Sequence, residues 1–122
     1  QPGQQIVAFP AIPCDVAVIH ALQADPSGNA LLNGNLGVDF ELSLVADRVI
    51  ITAEEIVERF EQQVDLSGAV VSAVVHAPNG ARPTSCYPLY PLDGSEILRY
   101  IEVCNAKGFE AYLEGILAST HE

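Results

Sequence analysis

Short apolar runs separated by turn signals set the pattern of this chain. Residues 15–20 (Asp-Val-Ala-Val-Ile-His) form a β-branched run that suits a buried strand. The run closes on Asp25-Pro26-Ser27-Gly28, with Pro second and Gly fourth in a type I turn and Asp accepting at the first position. Two periods compete over residues 38–49. Val38, Phe40, Leu42 and Leu44 alternate with polar residues as in a strand, while Val38, Leu42, Val45 and Val49 fit a helical face. Both readings stay open. Residues 48–52 (Arg-Val-Ile-Ile-Thr) predict a second strand. Thr52-x-x-Glu55 then reads as a capping box opening a helix over 54–62, with Ile56, Val57, Phe60 and Val64 at helical spacing. A third strand is expected at 70–75.

Residues 77–92 carry Pro78, Pro83, Pro88 and Pro91 and an Asn79-Gly80 turn, a long loop of the kind that is functional or docked. Asp93 with Glu96 caps a helix over 95–105 that presents Ile97, Leu98 and Ile101 and closes at Lys107-Gly108. Phe109, Tyr112, Leu113, Ile116 and Leu117 make a final amphipathic helix. Strands alternating with helices imply an α/β fold, a small parallel or mostly parallel sheet flanked by helices. Parallel strands need cover on both faces, and the helices here are few. The expectation is therefore part of something larger, with Phe40, Leu42, Tyr87, Leu89 and Tyr90 left as a sticky apolar face.

Length and composition narrow the classes. With 122 residues, 49% of them apolar, a single unit is expected, and residues 1–13, with three prolines, read as an extended leading segment. The net charge of −11 argues against nucleic acid and anionic membrane as partners. Cys14, Cys86 and Cys104 are far apart with no C-x-x-C pair, so neither a zinc site nor a disulfide framework is suggested. No apolar run is long enough to span a bilayer and none reads as a signal peptide, which makes the cytoplasm the expected compartment. The chain has no methionine and opens on Gln1-Pro2-Gly3, which suggests a processed, designed or cut product.

Three stretches carry a family resemblance. Residues 15–30 hold an Ala-Asp pair before a Gly-Asn turn, residues 48–57 make a strand-to-helix step, and residues 74–90 form a late Pro/Gly loop. In this order they resemble the second half of the A subunit of the class I CoA-transferases, of the glutaconate and 3-oxoacid kind. The resemblance implies coenzyme A as a substrate, with no permanently bound cofactor, and transfer of CoA between carboxylic acids through a glutamyl-CoA thioester. It places the attacking glutamate on the B subunit. It also implies two partners, the B subunit itself and the N-terminal half of the A subunit, where the family's glycine-rich loop lies. A complete subunit is expected at about twice this length. An acyl-CoA hydrolase on the same scaffold and a non-catalytic acidic interaction module are the alternatives.

Few residues here invite a catalytic role. Glu54 and Glu55 have the chemistry of a glutamyl nucleophile, but the predicted first turn of a helix makes them caps. His20 and His76 end apolar strands, where a ring packs and bonds a backbone carbonyl; with Cys14 and Cys86 they lack the tight spacing of a metal site. His121 lies in the terminal tail and carries no signal. No catalytic residue and no metal ligand is assigned. The candidate substrate-binding residues are Gly28, Asn29, Arg82 and Ser85, which would follow the carboxyl ends of strands, where open α/β sheets bind ligands. Arg82 has the chemistry to pair with a carboxylate. The alternative is that Asn29 supports its turn while the proline loop packs against a companion subunit.

Overall fold

In the computed structural model, which describes residues 3, 5, 7–11 and 13–119, the run around Ala17 and Ile19 forms β1 (Cys14–Ala24). The Asp25–Gly28 turn forms as its residues predict: the Gly28 amide donates to the Asp25 carbonyl at 2.9 Å, and Asp25 Oδ1 accepts from the Ser27 and Asn29 amides. The turn feeds a two-residue strand, β2 (Ala30–Leu31), antiparallel to β1. So short a strand leaves no periodic signal in the sequence.

The ambiguous stretch from Val38 to Val49 uses both of its periods in turn. A helix, α1 (Asp39–Val45), gives way directly to β3 (Ala46–Ile56). Leu42 of α1 packs on the core, and burial pushes the Asp39 carboxyl up from its ordinary value. β3 lies parallel to β1, Val16 opposite Arg48 and His20 opposite Thr52. β4 (Ala73–His76) lies parallel to β3 on its other side, so the sheet order is β2-β1-β3-β4. The mostly parallel α/β sheet is thus present.

Two boundaries differ from expectation. The helix predicted over 54–62 is absent, because β3 runs on to Ile56, paired with β1 as far as Ala24. Thr52 and Ala53 are also held by β4, opposite Val75 and His76. Ladder bonds on both sides of a central strand outweigh what a capping box offers at a helix end. Glu54 and Glu55 are therefore strand residues and not caps. The third strand begins at Ala73 rather than Val70, since Ser67 caps a single 3₁₀ turn over Gly68–Val70.

Strand alternation sends Ala17, Ile19 and Ala21 of β1, with Val49, Ile51 and Ala53 of β3, to one buried face. Leu32, Leu66, Leu36, Leu42 and Val71 complete that core. Burying a side chain such as Ile51 stabilises by about 1.5–3 kcal/mol, and Ile51 is fully buried. This unit extends to Pro78.

The second unit begins at Asn79. Its proline loop closes on paired backbone bonds between Cys86 and Tyr90, and the Tyr90 hydroxyl accepts from the Ala81 amide at 3.1 Å. Tyr90 is only 8% exposed, which corrects its place among the sticky residues. Its ring lies under the Arg82 guanidinium and its hydroxyl is bonded, a better environment than water for both ends. Leu42 is likewise half-buried, whereas Phe40, Tyr87 and Leu89 are exposed.

The helix α2 (Gly94–Asn105) starts where Asp93 accepts from the Glu96 amide, as its capping pattern predicts. It ends with Lys107 in the left-handed region (φ 60°) and the Gly108 amide donating to the Val103 carbonyl. The last helix, α3 (Phe109–Ser119), is tied to α2 by a clasp. Arg99 donates twice to the Glu96 carboxylate, and the Tyr112 hydroxyl donates to it at 2.7 Å. These bonds, from Arg99 first and Tyr112 second, hold Glu96 down to about 2.

Candidate functional site

The register of β1 against β3 puts three polar side chains together on the face away from the core. His20 Nδ1 lies 2.9 Å from the Thr52 hydroxyl, and His20 Nε2 lies 2.8 Å from Glu54 Oε1. The imidazole is 18% exposed and the carboxylate 9%. Glu54 accepts from Nε2–H, and Nδ1 shares a hydrogen bond with the Thr52 hydroxyl. Both ring nitrogens are engaged, so the trio stitches two parallel strands together and fixes the ring. Neither nitrogen is left to meet a substrate.

Sequence reasoning missed this trio because the capping box ended the strand at Thr52 and gave Glu54 to a helix. His20 also bonds side chains, not the backbone carbonyl expected of it. A signal was present: Ile50, Thr52 and Glu54 occupy the alternate positions to Val49, Ile51 and Ala53. His76, at the end of β4, is exposed.

Gly28 and Asn29 follow the carboxyl end of β1. There the Asn29 side-chain amide donates to Asp25 Oδ2 at 2.9 Å, and its oxygen accepts from the Gly68 backbone at 3.0 Å. Asp25 is buried, and its carboxylate accepts from three N–H groups. Gly28 has φ +90°, and a Cβ there would stand 2.9 Å from Val71 Cβ. At Gly68 a Cβ would stand 2.0 Å from the Ser27 carbonyl oxygen. The two glycines let the turn and the 3₁₀ segment approach until their backbones touch. This pair therefore locks the end of β1, with Asn29 supporting its turn.

Arg82 and Ser85 lie in the second unit. The Arg82 guanidinium sits 4.9 Å above the Tyr90 ring, and its Nε donates to Asn79 Oδ1 at 3.2 Å. Ser85 is exposed. In the first unit an open cleft of about 300 Å³ is lined by Gln23, Val57, Arg59, Phe60, Glu61 and Gln62. It lies at the carboxyl ends of β1 and β3, where open α/β sheets receive ligands. Its guanidinium already pairs with Glu61 at 3.3 Å.

No family model matches the chain. It is 37% identical over 118 residues to the A subunit of glutaconate CoA-transferase from Acidaminococcus fermentans, a match covering 92% of this chain and 37% of that protein. It is 43% identical over 94 residues to the A subunit of 3-oxoadipate CoA-transferase from Pseudomonas knackmussii, covering 75% of this chain and 33% of that one. The crystal structure of the Acidaminococcus fermentans glutaconate CoA-transferase matches with a TM-score of 0.86 at 36% identity, over 94% of this chain and 38% of that one. The chain belongs to the class I CoA-transferase family, on its A-subunit side.

As a CoA-transferase family chain it spans well under half the length of the curated relatives it matches. The crystal structure of a cysteine-to-serine variant of the decarboxylase AibA/AibB is similar to the same degree, with a TM-score of 0.81 at 37% identity over 89% of this chain and 41% of that one. One scaffold thus carries more than one chemistry. His20, Asn29 and Arg82 each hydrogen-bond to side chains or backbone of their own unit.

Proposed function

We propose that this chain is part of the A subunit of an acyl-CoA:carboxylate CoA-transferase. It supplies scaffold and interface to an active site whose nucleophilic glutamate belongs to the B subunit. Acyl-CoA and a carboxylic acid are the substrates, and the partners are the B subunit plus the remainder of the A subunit. The observation that carries this reading is the match of 92% of the chain to the A subunit of a glutaconate CoA-transferase. The side chains agree with a supporting role. Arg59 pairs with Glu61, Arg99 with Glu96, and Arg82 stacks on Tyr90, so three of the cations a CoA phosphate would need are already engaged. Cys14, Cys86 and Cys104 form no disulfide with one another, and the cytoplasm is the proposed compartment.

On its own the chain is catalytically inert. Electrostatic preorganisation at the reacting carbonyl supplies much of an enzyme's rate enhancement, and the proposed nucleophile is on another chain. The test is CoA exchange between an acyl-CoA and a labelled carboxylate, run with the purified chain and then with the completed two-subunit enzyme. Exchange only by the complete enzyme is the expected result. Exchange by the chain alone, lost on Glu54→Gln, would overturn it. The decarboxylase similarity favours a second reading, other acyl-CoA chemistry on the same scaffold. Release of CO₂ or of free CoA by the complete enzyme, without exchange, would select it.

A further inference from the structure

Two asparagines stand directly before glycine, Asn33-Gly34 in the first unit and Asn79-Gly80 at the start of the second. A following residue without a side chain leaves its backbone nitrogen open to reach the asparagine side-chain carbonyl. Elsewhere that approach is hindered. Asn35 precedes leucine, while Asn29 and Asn105 precede Ala30 and Ala106, whose amides donate to the Leu66 and Glu102 carbonyls at 3.0 Å. The two Asn-Gly pairs differ in setting. Asn33 is half-buried, and its Oδ1 accepts from the Asn35 backbone amide at 3.3 Å. Asn79 and Gly80 are both exposed, with Asn79 in the left-handed region at φ 61°, which asparagine tolerates in a turn. Asn79 Oδ1 accepts from Arg82 Nε at 3.2 Å. That guanidinium also lies 4.9 Å over the Tyr90 ring, so a second contact holds it in place.

We propose that Asn79 is a self-modification site, converting through a cyclic imide to aspartate and isoaspartate, with Arg82 promoting ring closure. The inference is independent of the CoA-transferase reading. An exposed turn opens at little cost, which lets the Gly80 nitrogen reach Cγ of Asn79. Hydroxide takes the Gly80 amide proton and the nitrogen bonds to Cγ. The Cγ–Nδ2 bond then breaks, water returns a proton to the departing nitrogen, and ammonia leaves. A second water opens the imide at either carbonyl, giving aspartate or, where the backbone carbonyl is attacked, isoaspartate. Water is the co-reactant throughout. Negative charge gathers on Oδ1 during the attack, and the Arg82 N–H donates to that atom. The product sets a carboxylate beside Arg82 where a neutral amide stood, and a charge-assisted bond replaces the neutral one. Arg82, whose chemistry suits a carboxylate partner, then has one in its own loop.

The test ages the purified chain at mildly alkaline pH and follows each asparagine by peptide mapping, with isoaspartate scored by enzymatic methyl transfer. Conversion at Asn79 is expected to outpace that at Asn33, to rise with pH and to yield both products. Gly80→Ala is expected to slow it about tenfold, since a Cβ crowds the attacking nitrogen. Arg82→Gln is expected to slow it about fivefold through loss of the charged donor, with the helices unchanged by circular dichroism. Asn33 converting first would overturn the proposal. So would an unchanged rate in Gly80→Ala, or an Arg82→Gln chain that converts as fast as the parent or faster.

Discussion

The two faces of the same strands differ in make-up and meet opposite fates: one is wholly apolar, while the other mixes Val16, Val18 and Ile50 with Arg48, His20, Thr52 and Glu54. Ala17, Ile19 and Ala21 disappear into the core beside Val49, Ile51 and Ala53, while Val16 and Val18, one position away, stand in solvent. Strand alternation accounts for the separation. It does not account for valine on the open side, where an antiparallel sheet in water would carry polar residues. The difference teaches that one face of these strands is filled by packing alone, while the other is organised by hydrogen bonds between neighbouring strands.

Breaking the buried face should produce the largest effect. Ile51→Ala removes a fully buried side chain at the centre of β3 and is expected to cost about 2–5 kcal/mol, read by chemical denaturation. Gly68→Ala is next. Its new Cβ would stand 2.0 Å from the Ser27 carbonyl oxygen, so backbone must move where the turn after β1 meets the 3₁₀ segment. Overpacking of this kind costs about 1–3 kcal/mol, and the same denaturation series measures it.

The helical unit offers a contrast in kind, since a polar clasp at Glu96 works beside ring contacts of Tyr100 with Phe109 and Tyr112 to hold α2 to α3. Glu96 is held down to about 2 from an ordinary value of 4.5. A carboxylate with a lowered folded value stabilises the fold fully above its unfolded value and loses that contribution as pH falls through the folded one. Helicity of α2 and α3 should therefore weaken as pH drops from about 4.5 towards about 2, followed by circular dichroism. Glu96→Gln should flatten that dependence. The smallest effect belongs to the open face. Val18→Ala in the isolated chain is expected to change stability by no more than about 0.5 kcal/mol, which the same denaturation series checks.

Much of the fold was legible where local chemistry and global packing agree. The Asp25 turn, the Asp93 cap and the three parallel runs around Ile19, Ile51 and Val74 all formed because nothing in the tertiary structure opposes their local preference. Thr52-x-x-Glu55 misled because its residues satisfy a helix start equally well, while β1 and β4 flank this segment and claim its backbone. The candidate site was harder to read. The sequence marks Gly28 and Asn29 as turn residues, yet their partners, Gly68 and Val71, lie about forty residues on. The His20–Thr52–Glu54 trio needed the register between two strands, which periodicity within either strand does not supply.

The proposed division of labour between this chain and a B subunit can be read directly by intact-protein mass spectrometry. The two-subunit enzyme, loaded with acyl-CoA and quenched before turnover completes, would be separated and each chain weighed. A thioester-linked CoA on the partner subunit, with this chain at its unmodified mass, is the predicted result. A CoA adduct on this chain, lost on Glu54→Gln, would contradict it.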